Sequence, residues 1–149
     1  MSQIINKREI EDLIPHSGLM CLNDEAIEWD SESAICKTRS HLNKNNPLMR
    51  NGQLSGLHAI EYCAQVMAIH GGLLAKEKGQ KLAPGFLAAV RNTRLEVEYL
   101  NSVNHTLYIK VSKVMAQGGS LVYQFVMYYI DAECQHNIAS GRATVIEMS

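Results

Sequence analysis

The sequence predicts one α+β domain, a curled antiparallel sheet wrapped around a single long central helix, and three observations predict it. Residues 54–78 carry apolar side chains at helical spacing (Leu57, Ile60, Ala64, Met67, Gly71, Leu74), while Ala59, Cys63, Val66, Ala68 and Ile69 fill the other faces. A helix apolar nearly all round is a buried one. About six further segments read as strands, several with strict alternation. The chain is 149 residues long and 46% hydrophobic, enough for one core and too short for two. One buried helix with many strands requires the sheet to cover the helix.

The elements follow in order. A short helix opens the chain, with Asn6 as its cap, Glu9 as the capping-box partner three residues on, and Ile10, Leu13 and Ile14 as its apolar face. Pro15 is expected to end it and to open a turn, Pro15-His16-Ser17-Gly18. Residues 26–29 and 33–41 are expected to pair as antiparallel strands across the polar turn Asp30-Ser31-Glu32. Residues 42–56, rich in Asn with Pro47 and Gly52, read as a loop into the long helix. After Gly79 come strands at 86–90, 94–100, 105–115, 121–130 and 137–147, with Gly118-Gly119 as a hairpin turn. The sheet edge that such an arrangement leaves open predicts dimerisation edge to edge.

Composition narrows the function. Fourteen basic and fifteen acidic side chains leave a net charge of -1, which excludes whole-surface attraction to nucleic acid. The opening residues hold no apolar core of a secretory signal, and no stretch of ~20 continuous apolar residues marks a membrane span. A cytoplasmic protein is the expectation. Cys21, Cys36, Cys63 and Cys134 are scattered and read as small buried hydrophobes. The six histidines are dispersed too, and no two share ligand spacing, so neither a metal nor another cofactor is expected.

One carboxylate stands out. Residues 51–75 contain a single formal charge, Glu61, on the buried helix. Burying an unpaired carboxylate is costly and favours its protonated form, which makes Glu61 a general-acid candidate. The alternatives are a solvent-facing strip or a basic partner from elsewhere in the chain. His58 lies three residues earlier, on the same helical face, and could share its proton. His16 sits in a turn, where the backbone can aim it. Ser55-Gly56 at the helix start offers a cap and free N–H groups able to steady a developing oxyanion. Arg91 and Arg94, or Lys76, Lys78 and Lys81, could meet an acidic partner, or simply form a solvated face.

These residues carry a resemblance. L-I-P-H-S-G-L-M-C-L-N-D, residues 13–24, resembles the N-terminal signature of the 3-hydroxyacyl-acyl carrier protein dehydratases, and G-L-H-A-I-E-Y-C-A-Q, residues 56–65, resembles their central helix. N-P-L-M-R-N-G-Q-L and G-F-L-A-A-V-R extend the likeness to the dehydratases found with aryl-polyene pigment gene clusters. The resemblance implies the hotdog fold and loss of water from a 3-hydroxyacyl thioester. It implies a substrate delivered on the phosphopantetheine arm of an acyl carrier protein, and a homodimer or a mixed oligomer with a paralogous hotdog protein. Glu61 inherits the role of acid, and Gly56, Asn46 and Gln65 become substrate-binding candidates. The family's catalytic His-Phe-Pro-Gly motif is missing: its position holds Pro47, with Asn46 beside it. His16 or His58 must then be the base. Otherwise the chain is a hotdog thioesterase, or a degenerate acyl-binding partner of an active paralogue.

Overall fold

The computed structural model describes residues 4–83 and 85–147. Strands β1 (Ile5–Asn6), β2 (Glu25–Trp29), β3 (Ser33–Thr38), β4 (Gly85–Leu95), β5 (Leu107–Gln117), β6 (Ser120–Asp131) and β7 (Cys134–Glu147) form one antiparallel sheet ordered β1-β2-β3-β5-β6-β7-β4. Helices are α1 (Lys7–Glu11) and the long α2 (Ala59–Glu77).

The core is the space between α2 and the concave face of the sheet. Alternation on β5 buries Leu107, Ile109 and Val111 completely, and on β6 it buries Tyr123, Phe125 and Met127. Helix α2 lies across β5, β3 and β6 and contributes Ala59, Tyr62, Cys63, Val66 and Ile69, each 0% exposed. The N-terminal segment closes over its far end, where a Cβ at Gly72 would stand 3.1 Å from Leu13. Among the described residues, no helix is long and apolar enough to cross a membrane.

Several expectations are corrected. The helix expected over 54–78 begins as a three-residue 3-10 turn, Gly56–His58, and becomes α-helical only at Ala59. Helix α1 carries the full capping box on Asn6 and Glu9, but it stops at Glu11, four residues before Pro15. The strand expected to reach residue 41 ends at Thr38, because Thr38 and Ser40 turn their hydroxyls onto the Leu22 carbonyl and His41 is drawn into the core. The two strands expected at 86–90 and 94–100 are one, β4, broken by two bulges. Beyond Leu95 alternation persists, but backbone bonds to Ile138 and to the α2 entry replace a ladder. The Gly118-Gly119 turn forms as read, with φ of 57° and 82°. A second tight turn at Ala132 and Glu133, with φ of 51° and 63°, joins β6 to β7, so β7 starts at Cys134 rather than at 137. Neither residue is a glycine or asparagine, so no turn signal marks it. Cys134 is exposed, while Cys21, Cys36 and Cys63 are buried.

Strand β4 pairs with β7 on one side only. Its residues are almost all exposed, Phe86 at 49% and Leu87 at 37%. The domain therefore ends in a long open edge.

Candidate active site

Glu61 projects from the first turn of α2, and its side chain is 40% exposed. Of the two environments the sequence left open, buried and unpaired or solvent-facing with a basic partner, the structure has the second: the carboxylate is half-open and has two neighbours. His16 Nε2 lies 3.6 Å from Glu61 Oε1, and the Gln65 amide donates to the same oxygen at 3.3 Å. Glu61 and Gln65 stand four apart on one helical face, which is why they meet.

His16 reaches Glu61 because the segment around it is pinned at both ends. Upstream, the capped α1 anchors Ile10 and Ile14 in the core. Downstream, the Gly18 N–H bonds the Glu11 carboxylate, and Gly18 turns the chain with a φ of +60°. Gln65 then clamps the next stretch: its Nε2 donates to the Met20 carbonyl at 2.8 Å, and its Oε1 accepts from the Leu22 N–H at 2.9 Å. Gln65 is 2% exposed and its hydrogen-bonding capacity is taken up by Met20, Leu22 and Glu61. These bonds make it a clamp between α2 and the segment that carries His16. His16 Nδ1 is buried without a hydrogen-bond partner, and Nε2 is the ring nitrogen on the Glu61 side.

The other expected residues fall outside this pair. His58, in the 3-10 turn before α2, is half-buried and makes no ion pair with Glu61. Gly56 is needed for packing, since a Cβ there would come within 2.4 Å of the Val97 carbonyl oxygen. Its N–H donates to Glu98 O at 2.7 Å and that of Leu57 to Ser55 Oγ at 3.2 Å, so the free N–H groups expected here are already partnered. Asn46 donates to Ser40 O and to the Tyr62 hydroxyl and accepts from the Leu48 N–H. It belongs to a buried network of Thr38, Ser40 and Tyr62 that sequence inspection missed, for isolated hydroxyls leave no pattern. Burial pushes the Tyr62 phenol up, so within this network it stays neutral. Asn46 also lines a cavity of about 180 Å³ with Leu19, Asp24 and Arg39.

Neither that cavity nor a larger one on the outer sheet face includes His16 or Glu61. The pair is open to solvent, and Leu19 (51%) and Leu57 (64%) are exposed on turns close to it in the chain. A carboxyl and an imidazole at this separation can take a proton from one atom and give one to another. Among the described residues, no cluster of three His, Cys, Asp or Glu side chains is arranged to hold a metal.

A family model, ApeP-like and described as ApeP dehydratase, matches residues 8–149. No curated protein matches the chain. The solved dehydratase heterocomplex ApeI:P from Xenorhabdus doucetiae is similar over 94% of this chain and 91% of that chain, at 18% identity and a TM-score of 0.80. A thioesterase family protein from Silicibacter pomeroyi is similar over 93% and 95%, at 11% identity and a TM-score of 0.66. A mutant thioesterase from Pseudomonas aeruginosa is similar over 97% and 96%, at 14% identity and a TM-score of 0.59. At these identities the likeness is one of fold, and the fold is the hotdog.

Proposed function

The chain belongs to the ApeP-like dehydratase family, and on that premise we propose that it removes water from a 3-hydroxyacyl thioester with His16 as base and Glu61 as acid. The observation that carries this reading is the 3.6 Å approach of His16 Nε2 to Glu61 Oε1. His16 takes the C2 proton, the C3–O bond breaks as the C2=C3 bond forms, and protonated Glu61 gives its proton to the departing hydroxyl. Water and an enoyl thioester leave. His16 then carries the C2 proton and Glu61 is ionised, and transfer of that proton from His16 to Glu61 across the short gap restores the pair with no net proton change. Gln65 holds the Glu61 oxygen and the His16 loop in one geometry.

The substrate is an acyl chain on the phosphopantetheine arm of an acyl carrier protein, in aryl-polyene or fatty-acid-like synthesis in the cytoplasm. The exposed pair is covered by a second hotdog subunit, a copy of this chain or a paralogue. The open β4 edge and the similarity to a dehydratase heterocomplex support that assembly.

The test is a 3-hydroxyacyl thioester assay, with and without a paralogous subunit, following enoyl absorbance and free thiol together. Enoyl product without thiol is expected, falling about 10²–10⁴-fold in His16→Ala and in Glu61→Gln and staying within a few-fold in His58→Ala. Thiol release would assign hydrolysis instead, and silence in both channels with the paralogue present would overturn the reading.

A further inference from the structure

The outer face of the sheet carries a feature that dehydration does not use. Strand residues alternate, so while Ile109 and Val111 face α2, Lys110 and Ser112 project the opposite way. Two adjacent rows cross the strands there: Ser112 opposes Gln124, which opposes Arg142, and Lys110 opposes Val126, which opposes Ser140. Together with Asn92, Phe125 and Gly141, these residues line a concave depression of about 580 Å³ with no acidic side chain in its lining.

The charge arrangement there is unbalanced. Arg142 stands directly opposite Arg91 on β4, and like charges in cross-strand register are destabilising. Elsewhere on the sheet and its continuation two cations are matched, Lys37 with Glu25 at 3.1 Å and Arg94 with Glu96 at 3.6 Å. Among the described residues, Lys110, Arg91 and Arg142 make no ion pair. Lys110 and Arg142 are two strands apart, about 10 Å sideways at about 4.8 Å per strand, so both long side chains can close on one group between them. The bulge between Arg91 and Arg94, with Asn92 at a φ of 56°, brings a side-chain amide to the rim.

We propose that this depression is a binding site for a phosphoryl group carried by a small molecule, held by Lys110 and Arg142 with Ser112, Gln124 and Ser140 as hydrogen-bond partners. Two cations match a dianion, and a guanidinium beside hydroxyls suits phosphate oxygens. The site is separate from the His16–Glu61 pair, which lies on the α2 side of the sheet, and it stands or falls independently of the dehydration reading.

The test is calorimetric titration of the whole chain with inorganic phosphate and with ADP in low-salt, phosphate-free buffer, alongside thermal melts. The two ligands distinguish a site for the free ion from one for a phosphate ester. Saturable binding of either is expected, weakened about tenfold per cation removed in Arg142→Ala and in the Lys110→Ala/Arg142→Ala pair. Because Arg142→Ala also removes a repulsion, its melting point without anion should equal or exceed that of the parent, whereas a purely structural arginine would lower it. No saturable binding, unchanged affinity in the double variant, or equal stabilisation by sodium chloride at matched ionic strength would overturn the proposal. So would binding of an acidic peptide in place of both phosphates.

Discussion

Replacing Gln65 with leucine removes the clamp that joins α2 to the His16 segment while keeping the side-chain volume. Three bonds are lost. The Leu22 N–H, on a residue 0% exposed, loses its acceptor at 2.9 Å, and no water can replace it. An orphaned buried donor of this kind costs about 1–3 kcal/mol. The Met20 carbonyl, on a residue 38% exposed, regains water in place of its 2.8 Å bond, for a net loss of about 1 kcal/mol. The 3.3 Å bond to half-exposed Glu61 adds little to stability. The sum is about 2–4 kcal/mol, or about 4–16 °C in melting temperature for a domain of this size. Urea unfolding followed by circular dichroism measures it, with Gln80→Leu on the exposed loop after α2 as a control expected to stay within about 0.5 kcal/mol. The same variant should lower kcat more than it raises KM, because Glu61 and His16 lose their common support. A stability loss below about 1 kcal/mol with unaltered turnover would refute the assignment of Gln65 as the residue that positions both.

Two further expectations follow from the geometry. Gly56→Ala should destabilise by about 3 kcal/mol, the upper end for overpacking, because its Cβ would meet the Val97 carbonyl at 2.4 Å and backbone cannot rotate away. An unchanged urea midpoint would show that the α2 entry can shift. His70 bonds Tyr123 Oη and Asp30 O, His41 bonds Val103 O, and burial holds both imidazoles below their ordinary 6.5. The unfolded chain therefore takes up protons below pH 6.5 that the folded chain refuses. Stability should fall from pH 6.5 toward 5 by up to about 1.4 kcal/mol per pH unit for each histidine, and a flat urea midpoint across that window would contradict the burial argument.

Local patterns in the sequence were enough for the parts of the fold that depend on neighbours along the chain. The capping box at Asn6 and Glu9, the Gly118-Gly119 turn and the alternation through Leu107, Ile109 and Val111 are all local, and all form as read. The readings that changed depend on partners far away. Thr38 ends its strand by giving its hydroxyl to the Leu22 carbonyl, sixteen residues away, and Gly56 gives its N–H to Glu98, forty-two residues on. A tight turn built from Ala132 and Glu133 has no compositional mark, since strong pairing of β6 with β7 imposes it on unfavourable residues.

The site divides in the same way. The sequence by itself determined that one carboxylate, Glu61, would sit on the central helix, because helical periodicity and the absence of other charges from 51 to 75 are properties of the chain alone. Which histidine accompanies it was decided only in three dimensions. His58 is three residues away and His16 forty-five, yet His16 makes the contact, because Gln65 ties Met20 and Leu22 to α2 and so draws the His16 segment over the carboxylate. That choice rests on hydrogen bonds spanning more than forty residues, and sequence spacing carries no information about them.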